Sequence, residues 1–109
     1  MNMYLSTTDE IVGAKIVKHV GLVRGSTVRA RNFVSDAVAG IKMAIGGEVV
    51  QYTRLLADAR EQALQRMVEE AKNLGANAIV GIKFTTSQVM QGSAEILVYG
   101  TAVVVDIEG

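Results

Sequence analysis

Apolar positions recur with two different periods along the chain, and the change of period marks its elements. Near the C-terminal end, Ala78–Val89 and Ala94–Ile107 are dense in Val, Ile, Thr, Phe and Tyr, which fit a pleated, half-buried strand. Met90-Gln91-Gly92-Ser93 separates them, and Gly92 suits the positive φ of a two-residue hairpin turn. With Gln91-Gly92 as that turn, Phe84 falls opposite Tyr99, Val80 opposite Val103 and Ile79 opposite Val104. Such cross-strand pairs contribute roughly 0.2–1 kcal/mol each, and a slip of one residue loses all three. One predicted face carries Val80, Ile82, Phe84, Leu97, Tyr99, Thr101 and Val103. The other carries Ile79, Gly81, Val98, Gly100, Ala102 and Val104. Neither is polar along its length, and the small residues Gly81, Gly100 and Ala102 predict a close approach of another backbone.

The middle of the chain switches to helical spacing. Phe33, Ala37, Ile41 and Ile45 step by four, with Val34 and Val38 beside them, which predicts a short helix over Phe33–Ile45. Asn32 or Ser35 caps its start, and Gly46-Gly47 suits its stop. A longer helix follows, roughly Tyr52 to Leu74. Tyr52, Leu56, Ala59, Ala63, Met67, Ala71 and Leu74 form its apolar face. Arg54–Asp58 and Arg66–Glu70 are i,i+4 opposite-charge pairs, worth about 0.2–0.5 kcal/mol each, and Gly75 sits at the C′ position. At the start, Tyr4-Leu5 predicts a short strand. Lys15–Arg29 predicts a longer one, bent or bulged at Gly21 and Gly25. Ile16, Val20 and Leu22 fall on one of its faces, and Val17, His19, Gly21 and Val23 on the other. The sum is a single α+β domain over residues 1–109. It is a two-layer sandwich of a mainly antiparallel sheet with one short and one long helix.

Composition narrows the chemistry. Half of the 109 residues are hydrophobic and a fifth are charged, a balance that builds a core rather than a disordered chain. Eleven Lys and Arg cancel eleven Asp and Glu, so no strong global field draws the protein to nucleic acid or membrane. The absence of Cys excludes disulfides, thiolate metal sites, iron–sulfur clusters and Cys nucleophiles. Met1–Ile11 shows no basic segment followed by an apolar one, and the longest apolar runs, Ile96–Tyr99 and Ala102–Val105, are far too short to span a membrane. A cytoplasmic location is expected.

Two helices make one layer, and one layer covers one face of a sheet. The hairpin is apolar on both. A chain of this size buries only roughly 60–65% of its extended surface, so the second face meets another copy or leaves a large apolar patch. A homo-oligomer with a sheet-mediated interface is expected. The alternative is a monomer whose N-terminal strand folds over the open face.

Gly46-Gly47-Glu48, Ala59-Arg60-Glu61 and Leu74-Gly75-Ala76-Asn77-Ala78-Ile79-Val80-Gly81-Ile82 occur in that order. With Gly21-Leu22-Val23-Arg24-Gly25 before them and Tyr99-Gly100-Thr101-Ala102-Val103 after, the set resembles the YbjQ-like family of uncharacterised bacterial proteins. The resemblance implies a dodecin-like subunit and a ring-shaped homo-oligomer, a pentamer. The family also carries a heavy-metal-binding label, and the resemblance supplies no catalytic residues.

The residues themselves offer little chemistry. Soft-metal sites need several converging Cys or His ligands, and His19 is the only histidine. It is a weak metal candidate, more simply a packed strand residue, unless a ring gathers five copies on its axis. Met67 on the helix stripe reads as core filler. Asp58, Glu61, Glu69 and Glu70 sit among Arg60, Arg66 and Lys72 and read as a solvated, ion-paired face rather than catalytic carboxylates. Arg60 and Glu61 are candidates for an intersubunit salt bridge. Serine catalysis lacks an elbow motif and a spare base, and Gly46-Gly47-Glu48 lacks the Lys-Ser/Thr of a phosphate loop.

Residues 15–42 hold six cations against Asp36, a formal +5, which leaves −5 elsewhere. These complementary parts suit head-to-tail contact between copies better than nucleic acid, for which stacking aromatics are missing. Phe84 and Tyr99, facing a shared cavity, are candidates to line a small-ligand pocket between subunits. The function expected is therefore that of a non-enzymatic, ring-forming structural or small-ligand-binding protein, with no cofactor assigned. The alternative is a heavy-metal-binding protein whose ligands assemble at subunit interfaces.

Overall fold

The computed structural model describes residues 2–30 and 47–107, with side-chain surroundings in the helix from residue 53 onward. The short helix expected over Phe33–Ile45 lies outside the described residues. Strand β1 (Tyr4–Leu5) is followed by β2 (Ala14–Ala30), helix α1 (Gly47–Asn73), β3 (Ala78–Met90) and β4 (Ser93–Ile107). The strands form one mixed sheet in the order β1-β3-β4-β2. β1 runs parallel to β3, and the other pairs are antiparallel. The fold is α+β, one long helix packed on one face of this sheet.

Helix α1 follows the apolar stripe read from its spacing, but starts five residues before Tyr52. Ala59, Ala63, Met67 and Ala71 are fully buried against Val23, Ile79, Ile82, Ile96, Val98 and Ala102. Its end is a Schellman turn. Gly75 takes φ 87°, its amide bonds to the Lys72 carbonyl, and the Ala76 amide bonds to the Ala71 carbonyl, both at 3.0 Å. Buried Ala76 packs in the same cluster as Ala71, as this motif favours, while Leu74 is left exposed. Asn77 then extends the ladder with its side chain. Its Nδ2 donates to the Val105 carbonyl at 2.9 Å, and its Oδ1 accepts from the Val105 amide at 2.8 Å.

The tightest backbone approach lies at Gly25; Gly100 is close-packed as expected, a Cβ there standing 3.0 Å from the Val80 carbonyl oxygen, whereas Gly81 is not. A Cβ at Gly25 would stand 2.0 Å from the Ala63 carbonyl oxygen and 2.7 Å from the Met67 amide nitrogen. The helix therefore rests on the bare backbone of β2. Beside it, the buried Thr27 hydroxyl donates to the Ala59 carbonyl at 3.0 Å. The irregularities of β2 fall instead between Ile16 and Lys18 and between His19 and Gly21, so the expected bulge at Gly25 is not there.

The hairpin turn is Gln91-Gly92 as expected, with Met90 opposite Ser93. The expected register is not kept. Register shifts between Gln88 and Met90 and between Val80 and Lys83 put Phe84 opposite Val98, Val80 opposite Thr101 and Ile79 opposite Ala102. At the second shift Gly81 takes φ 64°, a left-handed conformation that suits glycine, and two residues of β3 oppose one of β4. The residues Ser6–Glu10 absorb the amides this displaces. The Gly81 amide bonds to the Thr8 carbonyl at 2.8 Å and the Ile82 amide to the Ser6 carbonyl at 3.1 Å.

The face away from the helix is covered at one end only. Ala78, Val80, Val103 and Val105 form a small cluster there, with Ile11, Ala14 and Ile16 packed against it. Further along, Leu22 is 67% exposed and Val28 57% exposed. The molecule extends 57 × 23 × 21 Å with a radius of gyration of 17.8 Å, well above the roughly 13 Å of a compact chain this long.

Candidate functional site

The open face is built by alternation. Pairing places Arg24 and Lys83 on either side of Tyr99, and residues directly paired across strands point to the same side. One row thus reads Arg24–Tyr99–Lys83. The next row towards the turn reads Ser26–Leu97–Thr85, and the one after it Val28–Glu95–Ser87. On the other side of Tyr99 lies the pair Leu22–Thr101. Arg24 and Lys83 are exposed, and Tyr99 is half-buried. Neighbouring strands lie about 4.8 Å apart, so the two cations arise from points about 10 Å apart with the phenol ring between them. Among the described residues no hydrogen bond reaches the Tyr99 hydroxyl.

Lys83 owes its place to the bulge beside the turn, where Val89, between Gln88 and Met90, has no partner on β4. Without it, Phe84 would stand beside Tyr99, as the hairpin alone suggests. The bulge turns Phe84 to the helix side, opposite Val98, where it is 44% exposed. The expected aromatic pair is replaced by an aromatic ring between two cations. The inserted residue is Val89, an ordinary strand former, so nothing in the local sequence marks the shift that brings Lys83 to Tyr99.

The other candidates are dispersed. His19 is exposed on β2, and no group of three or more His, Cys, Asp or Glu residues able to hold a metal is found among the described residues. Arg60 and Glu61 are exposed on α1, in the layer on the far side of the sheet from Tyr99. Glu61 borders an open groove of about 360 Å³ between β1 and the helix, with Leu5, Leu64 and Val68 along it. Asp58, Glu69 and Glu70 are exposed too, as a solvated face requires. Arg66 donates to the Ser26 carbonyl at 2.6 Å.

Several of the motif residues prove to be joints of the fold. Gly75, Ala76 and Asn77 stop the helix and start the ladder, and Ala59 accepts the Thr27 hydroxyl. Gly25 seats the helix, while Gly100 faces Ile79 and Ile82 so closely that a Cβ would lie 2.8 Å from the Ile79 methyl carbon. Four that remain, Leu22, Arg24, Tyr99 and Thr101, come together as two adjacent pairs on the open face.

These features define a small α+β protein with a row of charged and aromatic residues on the open face of its sheet. Residues 3–106 match the YbjQ family, described as "Putative heavy-metal-binding", and the chain belongs to that family. A UPF0145 protein of Dehalococcoides mccartyi strain 195 is 47% identical over 104 residues, covering 95% of this chain and all of its own length. The UPF0145 protein of Hahella chejuensis is 51% identical over 104 residues, with the same shares. One from Thermus thermophilus is 48% identical over 103 residues, 94% of this chain and 90% of its own. A solved structure from Pediococcus pentosaceus, of unknown function in the DUF74 family, covers 95% of this chain and 98% of its own with a TM-score of 0.66. At 18% identity it shares the fold.

Proposed function

We propose that this chain is a non-enzymatic, self-associating protein that holds a small ligand on its open sheet face, between copies. One observation supports this most: Leu22 and Val28 stand exposed on a face that also carries Leu97 and Tyr99. A second copy is the covering this reading assigns to that apolar part of the face. The face rather than the free edge carries the contact, because Arg66 already occupies the outward carbonyl of Ser26 on edge strand β2. A closed ring of five cytoplasmic copies is the form of the assembly in this reading. Light scattering coupled to size exclusion tests it. A mass near five protomers supports the ring, another multiple supports association alone, and a monomer at micromolar concentration contradicts both.

Metal binding is the second reading, and the family description favours it. Its ligands would have to assemble from several copies, with His19 the residue to supply nitrogen. Calorimetric titration with zinc, copper and nickel tests it. Heat that disappears in His19→Ala supports the reading, and no heat at micromolar metal contradicts it.

A further inference from the structure

We infer that the ligand of the open face is a planar aromatic anion of the nucleoside monophosphate class, its ring stacked on Tyr99 and its phosphate held by Arg24 and Lys83. This rests on the reading of that face as a small-ligand site. The row carries both halves of such a ligand's requirements. An aromatic ring offers stacking that tolerates any base. A guanidinium and an ammonium are rooted one strand to either side of it, within reach of one anion. Arg24 matches phosphate with paired donors, and Lys83 acts as a mobile point charge. The acidic group on these strands nearest the row is Glu95, two pairs further along. Leu22 and Leu97 flank the ring and supply the apolar rim that a base edge requires. The Tyr99 hydroxyl, which has no hydrogen bond among the described residues, is left to bond a ribose or base edge.

Calorimetric titration of the full chain with AMP, UMP, adenosine and inorganic phosphate tests this, at low and at physiological salt. The two nucleotides are expected to bind at least about tenfold tighter than adenosine or phosphate alone, and more weakly as salt rises. Tyr99→Leu, which keeps apolar bulk but removes the ring, and Lys83→Gln are each expected to weaken AMP about tenfold. Lys83→Arg retains binding. The oligomeric mass of these variants, measured in parallel, reports that the fold and assembly persist. Adenosine binding as tightly as AMP overturns the anion but leaves a small-ligand site. Nucleotide binding unchanged in Tyr99→Leu overturns the placement. No binding of any of the four probes overturns the nucleotide class. Oligouridylate binding more than about a hundredfold tighter than UMP marks a strand-binding platform and overturns the small-molecule ligand.

Discussion

Lys83 stands opposite Tyr99, one residue away from the position a regular hairpin closed at Gln91-Gly92 would give it. A regular ladder would place Phe84 there and make the centre of the open face purely apolar. The extra residue of β3 between Gln88 and Met90 exchanges that ring for a cation. It also sends Phe84 to the helix side. One inserted residue beside the turn therefore decides whether this face resembles a core or a binding surface.

Gly81 is the first residue to test. Its φ of 64° costs an L-residue about 1–2 kcal/mol. Gly81→Ala is expected to lower stability by that amount in urea unfolding. Unchanged stability would mean that the bulge is absent.

The seat of the helix makes a sharper prediction. Gly25→Ala drives a methyl into the Ala63 carbonyl, against helix backbone that cannot step aside, and is expected to cost on the order of 3 kcal/mol. Thr27→Val keeps the shape and removes only the hydroxyl bonded to Ala59, for about 1 kcal/mol. Thermal and denaturant unfolding measure both, and the order of the two costs is the point to check.

Asn77 acts as both donor and acceptor to Val105. Asn77→Asp keeps the acceptor and turns the donor into a second lone pair facing the Val105 carbonyl. The expected loss at neutral pH is about 1–3 kcal/mol. A carboxyl so placed is protonated more readily in the folded state, so part of the lost stability returns as pH falls through its titration. A variant whose stability does not improve on acidification would contradict this geometry.

Leu22 separates association from folding. At 67% exposed, Leu22→Lys is expected to change protomer stability by no more than about 0.5 kcal/mol. The same substitution places charges in the proposed contact between copies and is expected to reduce the assembled mass in light scattering. An unaltered mass moves the contact off this face.

The parts of the fold set by local periodicity are legible in the sequence. Ala59, Ala63, Met67 and Ala71 repeat at four and become the buried stripe. Gly75 ends the helix and Gln91-Gly92 closes the hairpin, each through a positive-φ glycine. The bulges are not legible, because an inserted residue leaves composition unchanged while shifting every pair beyond it. Gly25 reads as a break in β2, yet its role is set by a helix far later in the chain, which no local pattern displays. The site shares this fate. Tyr99 is visible as a candidate, whereas Arg24 and Lys83 become its neighbours only through long-range register.

Everything proposed for the open face depends on Lys83, not Phe84, standing beside Tyr99. Nuclear Overhauser contacts between α-protons across β3 and β4 read this directly, because facing residues in the close-spaced pairs bring those protons together. A strong contact between the α-protons of Phe84 and Val98 is predicted. A contact from Thr85 to Val98 in its place, the mark of an unbroken ladder, would contradict it.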